Sequence, residues 1–109
     1  MEIAFSTKSL RDTCESEEMS RQKFGPEVAE MLKRRLADLR AADSIEDMVL
    51  GNVREVPQSH GPTMCIDLIH GYRLVIRANH NQNPTLATGK VDWAAVSRIK
   101  IARIEKPHD

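Results

Sequence analysis

The sequence predicts an α+β domain, with helices packed on one face of an antiparallel sheet of about four to five strands. Apolar residues recur at helical spacing through "PEVAEMLKRRLADLRA" (26–41). From residue 52 onward the period changes from 3.6 to 2, which marks half-buried strands. Two alternating segments then flank Gly71, as in an antiparallel strand pair. A leading strand, then helices, then consecutive strands places the helices on one side of the sheet. The chain of 109 residues fits a single domain, 1–109.

The first element is a short strand, "EIAFS" (2–6), in which Ile3 and Phe5 alternate with Glu2, Ala4 and Ser6. Ser6 or Thr7 can cap the following helix by accepting from a free backbone N–H. That helix carries Leu10 and Cys14 on one side. A second short helix is predicted over 17–24. Gly25-Pro26 opens the long helix, because proline's fixed φ suits the first helical position and its missing N–H is not needed there. Val28, Met31, Leu32, Leu36 and Leu39 form its apolar stripe. Lys33, Arg34 and Arg40 lie off the stripe, and the "KRR" run reads as a solvated helix face. Ser44 and Asp47 have capping-box spacing over a further, short helical piece that ends at Gly51.

Strands are predicted over 52–57 ("NVREVP"), 63–71 ("TMCIDLIHG"), 72–80 ("YRLVIRANH") and 96–105 ("VSRIKIARIE"). "QSHGP" is a turn and "NQNPTLATGKVDW" a long polar connection. In the third of these strands, alternation sends Tyr72, Leu74 and Ile76 one way and Arg73, Val75 and Arg77 the other.

Composition narrows the function. Apolar residues make up 40% and charged residues 29% of the chain, which is ordinary for a globular domain. No apolar run is long enough for a membrane span, and no secretory leader is legible at the N-terminus. A cytoplasmic protein with no membrane partner is therefore expected, with Cys14 and Cys65 as free thiols. There is no P-loop, GxGxxG, HExxH or CxxC pair, so neither a cofactor nor a metal is expected. The formal net charge is zero, yet residues 1–55 hold 9 basic against 12 acidic side chains, and 56–109 hold 7 against 4. An anionic partner would therefore meet the second half.

The candidate chemistry sits on the strands. Arg73 and Arg77 share a face, as do Arg98 and Lys100, and Arg54 lies on the strand before. Each arginine taken singly is most often a solvated or salt-bridged strand residue. Together on neighbouring strands they can line one surface, where the planar guanidinium donates paired hydrogen bonds to phosphate. His108 follows the last strand and can move a proton near neutral pH. Arginine and histidine on a sheet suit RNA cleavage. There the 2′-hydroxyl loses a proton, the phosphate's growing charge must be held, and the leaving oxygen gains a proton.

Several segments together resemble the RelE/ParE superfamily of toxins from bacterial type II toxin–antitoxin systems, in its HigB-like plasmid-maintenance-killer branch. "IAFSTKSLRD" resembles that family's opening strand and helix, and "FGPEVAEMLKRRLADLRAADSIEDM" its long helix and the segment after it. "GYRLVI" resembles the central "G.WRI.F" strand, and "RIKIARIEKPHD" the closing strand with its terminal histidine. The resemblance implies a RelE/ParE-like fold and a toxin that cuts messenger RNA on the ribosome without a metal, inhibiting translation. It implies a helix-turn-helix antitoxin partner and a toxin–antitoxin hetero-oligomer. ParE members of the superfamily dock on DNA gyrase instead, so a non-catalytic binding module, held by gyrase or only by its antitoxin, is the alternative.

Carried onto this chain, the resemblance gives Arg73 the scissile phosphate, with Arg77 or Lys100 beside it, and gives His108 the proton transfers. Arg54, Arg98, Lys100 and Lys106 are the substrate-binding candidates. Arg54 or Glu55 falls near a position where HigB proteins have a histidine. Lys106-Pro107 stands where the family has Asp-Tyr.

Overall fold

A computed structural model of the protein describes residues 1–56 and 61–107. It contains β1 (Glu2–Phe5), α1 (Lys8–Glu15), α2 (Glu17–Phe24), α3 (Pro26–Ala41), β2 (Arg54–Val56), β3 (Thr63–Asp67), β4 (Arg73–Ala78) and β5 (Arg98–Glu105). Short 3-10 turns at Ile45–Asp47 and Trp93–Ala95 punctuate the connections. The result is an α+β domain with a mixed five-stranded sheet in the order β1-β5-β4-β3-β2.

The three helices follow their sequence signals closely, while the short piece after α3 is a single 3-10 turn, Ile45–Asp47, that stops short of Gly51. Thr7 caps α1, its hydroxyl accepting from the Leu10 N–H at 3.0 Å. Ser16 caps α2 in the same manner on Met19. Pro26 opens α3, and Val28, Ala29, Leu32, Leu36 and Leu39 are its buried face. Met31 lies at the margin of that face rather than within it. Ser44 and Asp47 complete a reciprocal capping box. Val28, Leu32, Leu36, Leu39 and Ile45 pack on Ile66, Leu74, Ile76, Ile99 and Ile101 from one face of the sheet, and Trp93 and Val96 close the core from the long connection.

Three strand features differ from expectation. The sheet is mixed, not wholly antiparallel, because β1 runs parallel to β5, pairing Glu2 with Arg98 and Phe5 with Ile101. β1 reaches its neighbour through the whole length of the chain, so no hairpin dictates its direction. β3 ends at Asp67, four residues early, because the chain turns at His70 and Gly71, both at positive φ, and the Leu68 N–H donates to the Tyr72 carbonyl. β2 spans only Arg54–Val56. The expected strand end at Pro57 and most of the turn after it, with His60, lie outside the described residues, as does His108.

A bulge in β5 shapes the opposite face. Ile76 pairs with Ile101 but Val75 pairs with Arg103, so Ala102 is the extra residue. Strict alternation would continue the odd residues of β5 toward the helices. The bulge shifts the phase, so Ile104 joins the core side while Arg103 and Glu105 turn to the helix-free face with Lys100.

Candidate functional site

Cross-strand register assembles the helix-free face in rows. One row is Asp67, Arg73, Glu105 across β3, β4 and β5. The next is Arg54, Cys65, Val75, Arg103. A third contains Arg77, Lys100 and Ala4, and at the β1 edge Arg98 faces Glu2. Cys65 and Val75 lie on this face and yet are fully buried. Their burial follows from the long arginine side chains around them, whose stems cover apolar surface while their charged ends reach outward.

Arg54, Arg73, Arg77, Arg98 and Lys100 thus share this face, in two different states, whereas Lys106, also expected to bind substrate, turns to the Tyr72 side of the sheet. Arg73 donates from Nε and Nη2 to a single oxygen of Glu105, at 2.8 and 2.6 Å. Arg103 donates from Nε to the other oxygen. Arg54 donates to Asp67 at 2.9 Å and to the Asn52 carbonyl at 3.0 Å. Arg98 pairs with Glu2 at 3.1 Å, both well exposed. Lys106 lies 5.5 Å from the centre of the Tyr72 ring, a cation–π contact. Tyr72 in turn meets Phe24 edge to face at 5.4 Å, so it belongs to the edge of the core.

Arg77 and Lys100 differ from these. They are direct cross-strand partners, and among the described residues neither has a carboxylate within 4.0 Å. Arg77 Nε is buried without a hydrogen-bond partner among those residues. Like charges facing each other across a ladder are unfavourable, and a buried N–H without an acceptor adds to that.

The electrostatics follow from these contacts. Burial alone would raise the Glu105 carboxyl, but hydrogen bonds from Arg103 and Arg73 outweigh it and hold Glu105 below the ordinary carboxylate range. Donating to the Glu105 carboxylate in turn holds Arg73 still more firmly protonated. Burial pushes the Cys65 thiol up, against the opposing pull of Arg73 and Arg54.

The two described histidines lie elsewhere. His70 meets Glu27 of α3 at 2.7 Å. His80 Nε2 accepts the backbone N–H groups of Ser97 and Arg98 at 3.1 and 3.3 Å, which fastens the long connection to the start of β5. Sequence reasoning missed Glu105, Asp67 and Arg103. An acid at the end of a basic strand was the available signal for Glu105, but the bulge concealed its face. Among the described residues no cluster of three or more His, Cys, Asp or Glu is placed to share a metal ion, and no helix is long and apolar enough to cross a membrane. No protein-family model, curated protein or solved structure matches the chain.

Proposed function

We propose that this chain is a RelE/ParE-like toxin of the HigB-like branch that binds RNA on its helix-free sheet face and cleaves messenger RNA on the ribosome. The observation that carries the reading is the Arg77–Lys100 pair. Its two adjacent cations lack a carboxylate among the described residues, and one of them has a buried, unpartnered N–H. A phosphodiester brings two free oxygens that can balance the two adjacent positive charges, without contact to the buried Nε itself. In this reading the scissile phosphate sits at Arg77 and Lys100, not at Arg73, whose Nε and Nη2 are already committed to Glu105.

Cleavage by this chain would proceed by attack of the ribose 2′-oxygen on phosphorus as the bond to the 5′-oxygen breaks. Arg77 and Lys100 would stabilise the charge that grows on the phosphoryl oxygens. His108 is assigned the proton transfers by the resemblance alone. The expected partners are a helix-turn-helix antitoxin and the translating ribosome.

The occupied state of Arg73, Arg54 and Arg98 favours a second reading, a binding module of the same family that docks on gyrase or only on its antitoxin. Induced expression of the chain alone, with growth and messenger-RNA 5′ ends followed together, separates the two. Growth arrest with new ends inside translated codons supports the nuclease. Arrest without new ends supports docking on a target such as gyrase, and unimpaired growth contradicts the nuclease and the gyrase-docking module alike, leaving only a chain that engages its antitoxin or a different family.

A further inference from the structure

We propose that Arg73 and Arg103 form a second phosphate subsite, that Glu105 occupies it as an internal stand-in, and that an RNA strand enters by displacing this carboxylate. The proposal rests on reading the sheet face as an RNA-binding surface. It adds a place for a second phosphate and a residue that restrains binding there.

The geometry is that of a bound oxyanion. One oxygen of Glu105 takes Nε and Nη2 of Arg73, and the other takes Nε of Arg103. Arginine side chains grip phosphate through the same N–H edges. The floor beneath is the fully buried pair Cys65 and Val75. Water is excluded from below, which strengthens whatever ion pair forms there. The carboxylate is reachable from above, since the Glu105 side chain keeps 24% of its exposure and the Arg73 side chain 18%. Glu105 is also the last residue of β5, so its side chain can turn away without disturbing a ladder on its far side.

The two subsites suit one strand of nucleic acid. Arg73 and Arg77 are four residues apart on β4, about 13 Å at the usual rise of an extended strand. A single phosphate cannot bridge that distance, whereas two phosphates separated by one more along the same backbone can. Lys100 and Arg103 flank the same path from β5. Wild-type protein would then hold RNA mainly at Arg77 and Lys100, with Glu105 competing at the second position.

Binding of a labelled, short single-stranded oligoribonucleotide to the full chain, followed by fluorescence anisotropy over a range of salt, tests this. The variants are Glu105→Gln, Glu27→Gln and Arg77→Ala/Lys100→Ala. Glu27 lies on α3 and controls for the loss of one negative charge. The expected result is several-fold tighter binding by Glu105→Gln, with the log–log salt slope steeper by about 0.7 for the added phosphate contact, and no such change in Glu27→Gln. Equal affinity and slope for Glu105→Gln and wild type, or equal gains in Glu105→Gln and Glu27→Gln, would overturn the proposal. An Arg77→Ala/Lys100→Ala protein that binds as tightly as wild type would instead overturn the reading of the face on which it rests. Should Glu105→Gln fail to fold, Glu105→Asp withdraws the carboxylate by one methylene, and the same increases are expected from it.

Discussion

Arg73 and Glu105 face each other across β4 and β5, with two guanidinium N–H groups on one carboxylate oxygen at 2.8 and 2.6 Å. The pair is mostly buried and also engages Arg103. Its contribution to stability is therefore separable from that of Arg77, four residues along the same strand. Arg73→Ala leaves Glu105 with one of its two arginine partners and is expected to lower unfolding free energy by about 1.5–3 kcal/mol. Arg77→Ala relieves the repulsion with Lys100 and removes a buried N–H without an acceptor among the described residues, which offsets the packing lost with its stem, so its cost should stay below about 1.5 kcal/mol. Urea unfolding of the two variants beside wild type checks both values.

The same ion pair gives stability a definite pH dependence. Glu105 is held below its ordinary value of 4.5 when folded. The unfolded chain thus takes up this proton first as pH falls. The contribution is complete above about pH 4.5 and is lost as pH drops through the lower, folded value. Urea midpoints measured from pH 7 down to pH 3 should fall more steeply for wild type than for Glu105→Gln. Parallel curves would contradict the assignment.

Cys14 predicts the opposite trend at alkaline pH. It lines the groove between the first two helices and α3, with Leu32 and Leu36. Burial pushes its thiol from 9.0 up to about 11. A raised pKa contributes stability that is complete below about pH 9 and is lost as pH rises toward about 11. Native protein should therefore resist alkylation at Cys14 by iodoacetamide at pH 8, with the rate climbing only toward pH 11. Protein unfolded in urea should react as an ordinary thiol.

Gly51 holds the entry to the sheet. Its φ is +96°, and a Cβ there would fall 2.5 Å from Ile66 Cγ2, a core methyl group. Its carbonyl accepts the Asp67 N–H at 2.6 Å, next to the Arg54 ion pair. Gly51→Ala combines backbone strain with overpacking and should lose about 2–5 kcal/mol. Gly25→Ala carries strain alone, since nothing lies within 4 Å of its Cβ position, and should lose less. Thermal denaturation of the two variants ranks them.

Much of this architecture was legible in the sequence because its causes are local. Thr7, Gly25-Pro26 and the Ser44/Asp47 box act within one turn of chain, and each marks the boundary or cap expected of it. The shared face of Arg73, Val75 and Arg77 follows from strand alternation alone. The partners of those arginines depend on register between strands about 30 residues apart in sequence, and on the extra residue Ala102. Neither is written in local periodicity. The parallel pairing of β1 with β5 is likewise a property of the whole chain.

The most direct test of the central claim is to follow the arginine Nε–H resonances by NMR while single-stranded oligoribonucleotide is added. Arg77 Nε has no acceptor among the described residues, and a phosphate held against the Arg77 and Lys100 cations changes the field at that N–H and should shift its resonance. Arg77 should respond first and most, ahead of Arg54 and Arg98, which keep their carboxylate partners. An Arg77 resonance that stays fixed while the RNA binds would contradict it.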